Sequence, residues 1–152
     1  MDERFNILSR WVEEIIGPPA SMRPASADAS FRRYFRVLDR DGRSYIAMDA
    51  PPEHESVETF ARVAERFREA GLNVPQVHAI DTGRGLALLG DLGNRTYLAE
   101  INDANADLLY RDALEALYRL QAFSIERLDT FELYDAGKLN AEMELFRQWF
   151  VP

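Results

Sequence analysis

A chain of 152 residues with 47% hydrophobic content is long enough for one domain with its own core, or for one domain and the start of a second, and is too apolar to be disordered. Its formal net charge of -8 argues against a nucleic-acid partner, because a phosphate backbone selects clustered Lys and Arg. The absence of cysteine excludes disulfides and thiolate zinc sites, and the two lone histidines, His54 and His78, have no metal-ligand spacing, so no structural metal is expected.

The opening segment MDERFNILSRW carries acidic residues and no continuous apolar run. It predicts neither a secretory signal nor a membrane span, and the expected location is the cytoplasm. Phe5, Leu8, Trp11, Val12 and Ile15 recur at helical steps and predict an amphipathic helix that Gly17-Pro18-Pro19 ends. From Phe31 to Asp49, FRRYFRVLD and RSYIAMD are rich in aromatic and β-branched residues, with turn chemistry at Asp39-Arg40-Asp41-Gly42 between them, which predicts a β-hairpin. Pro51-Pro52 ends the second strand. Glu53, Glu55 and Glu58 then suit the positive end of a helix whose apolar members are Val57, Phe60, Val63, Ala64 and Phe67, with Gly71 at its left-handed C-terminal cap.

Val74 to Ile80 and Leu86 to Leu89 predict two more short strands, split by a turn at Asp81-Thr82-Gly83-Arg84-Gly85. Beyond Gly93 the pattern is helical, with Leu109, Ala113, Leu117 and Leu120 marking one helix and Leu139, Met143, Phe146 and Phe150 another. The change of composition predicts two units, residues 1–93 and 94–152. The last helix runs into Trp149-Phe150-Val151-Pro152, large apolar residues that a complete domain would cover, so the second unit is expected to be truncated.

The chemistry concentrates in the hairpin. A turn of small residues, Ala25 to Ser30, lets backbone N–H groups approach phosphate oxygens, and Arg32, Arg33 and Arg36 bring fixed positive charge in planar forks. A nucleoside triphosphate is the expected guest, although the turn has no glycine and is no Walker A motif. Strand alternation puts Phe31, Arg33 and Phe35 on one side and Arg32, Tyr34 and Arg36 on the other. Which set meets the nucleotide is open; Phe31 belongs in a core, which favours Arg32. The competing reading is an ordinary hairpin with solvated arginines. Glu58 and Glu65, seven residues apart on one helix, project from nearly one face and are either partners for these arginines or surface charges. His54 and His78 have no nucleophile nearby, and Asp103, Asp107 and Asp112 lack the glycine and closing glutamate of a calcium loop.

Four local sequences carry a family resemblance: Asp28-Ala29-Ser30-Phe31-Arg32-Arg33-Tyr34-Phe35-Arg36, Ile46-Ala47-Met48-Asp49-Ala50-Pro51-Pro52, Ala70-Gly71-Leu72-Asn73-Val74-Pro75 and Leu88-Leu89-Gly90-Asp91-Leu92-Gly93. They resemble the aminoglycoside phosphotransferase and choline kinase superfamily. The first two, with Tyr110 to Leu114 and Leu145 to Phe150, are most similar to its bacterial branch of N-acetylmuramate/N-acetylglucosamine anomeric kinases. The resemblance implies an α+β fold: a protein-kinase-like amino-terminal lobe with a five-stranded antiparallel sheet, followed by the first helices of a helical lobe.

It also implies ATP binding by Ser30, Phe31, Arg32 and Arg33, and an adenine site at the connector Leu89, Gly90, Asp91 and Leu92, where Met48 and Leu89 sandwich the ring. The implied function is ATP- and magnesium-dependent phosphorylation of a sugar hydroxyl in cell-wall recycling, with an aminoglycoside or choline-type acceptor as the alternative. A non-catalytic nucleotide-binding or interaction module is the reading from another class. Two departures stand out. The strand lysine that holds the α- and β-phosphates in such kinases has Met48 or Asp49 in its place. The loop His-x-Asp-x-x-x-x-Asn, with the base and a magnesium ligand, does not occur in residues 1–152, so this chain alone is expected to be inactive.

Overall fold

A computed structural model describes residues 3–27, 30–125, 127 and 133–150. Asp28 and Ala29 of the small-residue turn, and Val151 and Pro152 at the expected truncation, lie outside the described residues. Helix α1 (Glu3–Ile16) leads into strands β1 (Ser21–Ala27), β2 (Arg33–Leu38) and β3 (Ser44–Asp49), then helix α2 (Val57–Glu69), strands β4 (Val77–Asp81) and β5 (Leu86–Gly90), and helices α3 (Tyr97–Glu100), α4 (Ala106–Ile125) and α5 (Ala136–Phe150). The strands form one antiparallel sheet in the order β1-β2-β3-β5-β4.

Each sheet face has its own core because each is covered by a different helix. Leu8, Trp11 and Val12 of α1 pack on Phe35, Val37, Ala47, Leu86 and Leu88, and the Phe5 and Phe35 rings meet at 5.0 Å. Ile15, at the end of the predicted stripe, is largely exposed. On the opposite face Val57 of α2 buries Met48, Ala87 and Leu89, with Tyr34, Ile46 and Phe60 at the margin. Leu86 to Leu89 are covered from both sides, and all four are apolar for that reason.

Four strands follow the sequence reading, and the fifth, β1, occupies part of the predicted Ala25 to Ser30 turn. Ser21 to Ala27 has no β-branched residue and contains a proline, so it carries little strand signal. Its place at the sheet edge makes this tolerable: Pro24 needs no ladder partner on its outer side, and the register with β2 shifts between Pro24 and Ser26. Helix α2 starts later than the acidic run, at Val57, with the Ser56 hydroxyl accepting from Thr59 N–H; only Glu58 falls in its first turn. Its end is as expected, since Gly71 has φ +76° and Leu72 N–H reaches Phe67 C=O at 3.0 Å.

Candidate nucleotide site

Register decides which side chains share the α2 face of the sheet. Arg36 stands opposite Ile46 and Ile46 opposite Leu89, while Tyr34 stands opposite Met48 and Met48 opposite Ala87. Between this face, Phe60 and Pro75, and the connector Leu89 to Asn94, lies a cavity of about 480 Å³. It is mainly apolar, with Ala25, Tyr34, Ile46, Phe60 and Leu89 among its walls and Arg36 at its rim.

The connector is fastened at two points. Gly90 N–H donates to Gln76 C=O at 2.7 Å, and a side chain at Gly90 would crowd the Gln76 backbone. Asp91 accepts from Arg36 Nε at 2.6 Å and Arg36 Nη2 at 3.0 Å, from Ser44 Oγ, and from Gly93 N–H at 2.8 Å. Hydrogen bonds from Arg36 lower its carboxyl from 3.8 to about 2 against the opposing effect of burial, and Ser44 and the Gly93 N–H add to the pull. Leu92 is exposed, and its backbone makes no hydrogen bond among the described residues.

The predicted site residues separate into three groups. Leu89, Gly90, Asp91 and Leu92 all line the cavity, but the Asp91 carboxylate is turned to Arg36 and Ser44. Met48 is fully buried against α2 and does not line the cavity, where the side chain beside Leu89 is Ile46. Ser30 and Arg32 lie toward α2: the Ser30 hydroxyl accepts from Arg32 N–H and Nε, each at 3.1 Å, and Arg32 Nε is 4.0 Å from Glu55 Oε2. Phe31 lies outside the core, 61% exposed and stacked on His54 with ring centroids 4.0 Å apart. The expected alternation breaks there because β2 begins only at Arg33.

Arg33 points to the α1 face. Its Nε donates to Asp49 Oδ2 at 3.0 Å, while Arg4 of α1 holds Oδ1 of the same fully buried carboxylate and also donates to Arg84 C=O at 2.9 Å. Of the two candidates for the lysine position, Met48 is therefore on the cavity face and uncharged, and Asp49 is on the other face and neutralised. The helix carboxylates do not reach the hairpin arginines: Glu65 pairs with Arg68 one turn along, and Glu58 is exposed. Glu55, before the helix, lies 4.0 Å from Arg32. Sequence reasoning offered Arg36 as charge for phosphates and put it with Tyr34 on the Arg32 side, but named neither as a lining residue of this cavity, and it did not single out Ile46, Phe60 or Pro75. Alternation would have named Ile46 once Met48 was chosen; Pro75 and Phe60 carry no local signal.

A strand-edged cavity closed by a glycine-containing connector occurs in many folds, and comparison with known proteins narrows it. Residues 21–149 match the model of the phosphotransferase enzyme family. The chain belongs to this family. Among curated relatives, a Pseudomonas putida protein named N-acetylmuramate/N-acetylglucosamine kinase is 43% identical over 99% of this chain and 44% of its own length. Proteins of the same name from Pseudomonas aeruginosa and Neisseria meningitidis are each 39% identical, over 99% and 84% of this chain and 47% and 38% of their own lengths. The chain thus spans less than half the length of these relatives, and the family match runs through the connector into α5. Among the described residues no three His, Asp or Glu side chains come together as a metal site, and no helix is long and apolar enough to cross a membrane.

Proposed function

We propose that residues 1–93 form the nucleotide-binding lobe, and residues 94–152 the start of the helical lobe, of a cytoplasmic ATP-dependent kinase that phosphorylates the anomeric hydroxyl of N-acetylmuramate or N-acetylglucosamine. The observation that carries this reading is the cavity of about 480 Å³ between the sheet and the connector, in a chain that matches such kinases across 99% of its length. The purine lies against the wall that Ile46 and Leu89 form side by side, with the exposed Leu92 at its edge. Arg32, just before β2, supplies the charge that a strand lysine would bring. Ser30 orients that guanidinium.

ATP would bring a phosphoryl group already activated for transfer. This lobe's part is to bind and orient it by apolar contact with the base and charge at the phosphates. Magnesium and the base for the acceptor hydroxyl are assigned to no residue of this lobe, among whose described residues no three His, Asp or Glu side chains come together. Both would lie in the more than half of the relatives' length that this chain does not span, and the exposed apolar residues of α4 and α5 support a larger helical lobe.

Incubating the complete gene product with ATP, magnesium and N-acetylmuramate should yield sugar 1-phosphate. Phosphorylation of an aminoglycoside or choline in its place would replace the acceptor, and absence of ATP binding would overturn the nucleotide reading itself. Arg32→Ala should raise the KM for ATP by about tenfold, as expected for loss of one charge-assisted hydrogen bond. Arg33→Ala should act on thermal stability instead, and the opposite pattern would exchange their roles.

A further inference from the structure

We infer that Arg36 positions the connector and offers its flat guanidinium face as a stacking surface for the base, an inference that rests on the nucleotide reading above. Arg36 starts two strands away from the connector it holds. With neighbouring strands about 4.8 Å apart, β2 is about 10 Å from β5. The Arg36 guanidinium nevertheless reaches Asp91, directly after β5. Its side chain therefore runs along the sheet face toward Asp91 rather than standing out into solvent.

The donors of Arg36 are nearly used up by the connector. Nε and Nη2 bind the two Asp91 oxygens, Nη2 also donates to Gly93 C=O at 3.1 Å, and Nη1 donates to Asn94 Oδ1. All these bonds lie in the plane of the guanidinium. What remains for a ligand is one Nη1 N–H and the planar face of a weakly hydrated cation, in the lining of a cavity with Ile46, Leu89 and Phe60 in its walls. Such a face attracts a planar electron-rich ring and has little to offer a phosphate, whose oxygens need N–H donors in the plane. Base and phosphates are thereby assigned to different arginines, Arg36 and Arg32. The same four bonds tie β2 to the connector and keep the Leu92 backbone at the cavity edge.

The test compares ADP with inorganic tripolyphosphate as ligands of the complete gene product, in the wild type, Arg36→Met and Arg36→Lys. Arg36→Met should weaken ADP by about tenfold, the scale of one cation-aromatic contact in a desolvated setting. Tripolyphosphate should stay within about twofold, as for substitutions away from a ligand. Arg36→Lys keeps the charge but not the plane and should follow Arg36→Met. It also decides the matter alone if Arg36→Met does not fold. Wild-type ADP affinity in either folded variant, or equal weakening of both ligands, would overturn the inference while leaving the nucleotide reading intact. A wild type that binds tripolyphosphate but not ADP would remove both.

Discussion

Asp49 has both carboxylate oxygens committed to arginines from different elements, Arg4 of α1 and Arg33 of β2, and is itself fully buried. Removing it leaves two cations facing one another at the edge of the core. Asp49→Ala should cost about 3 kcal/mol, the lower end of the range for breaking a buried pair, because the arginines keep 30% and 38% of their side-chain surface. Urea unfolding would measure it, and a loss below about 1 kcal/mol would class the cluster with surface ion pairs. Asp91 contributes in a different way. Its carboxyl is lowered from 3.8 to about 2, so its stabilisation is complete above about pH 4 and is lost as pH falls through about 2. Asp91→Asn should therefore be less stable than the wild type near neutral pH, by on the order of 2 kcal/mol, with the gap closing in acid. A gap that persists at pH 2 would assign the effect to packing.

At the level of elements, Gly71 and Gly85 share a left-handed backbone and differ in surroundings. Gly71 caps α2 in open space, whereas a Cβ at Gly85 would stand 2.0 Å from the Ala50 carbonyl oxygen, in the bridge where Ala50 N–H donates to Gly85 C=O. Gly71→Ala should cost about 1 kcal/mol through the strained φ alone. Gly85→Ala must also push apart the ends of β3 and β5, and should lower the melting temperature several times as much. Equal losses would mean that these ends separate freely. Both glycines stand in turn or cap contexts that the sequence already marks; the carbonyl facing one of them belongs to a residue 35 positions earlier.

Across the whole molecule, the two halves are built differently. The sheet has a helix on each face, while α4 buries none of its residues and Leu114, Leu117 and Phe146 are exposed. The 152-residue chain by itself should self-associate through these apolar faces in sedimentation velocity. Leu114→Glu combined with Phe146→Glu should suppress this without lowering the melting temperature of the sheet. A monodisperse wild-type monomer would contradict the expectation.

By itself the sequence determined both long helical units, the hairpin, the two later strands and the family resemblance, because periodicity, turn residues and contiguous motifs are local properties. It pointed to the connector as well. Only the tertiary structure decided that β1 is an edge strand, that Met48 is buried while Ile46 faces the cavity, that Arg33 serves Asp49, and that Arg36 is spent on Asp91. Each of these depends on which strands are neighbours and which helix covers which face. A side chain's neighbour across a sheet is set by register, and register joins residues such as Arg36 and Asp91, 55 positions apart, that no local pattern connects.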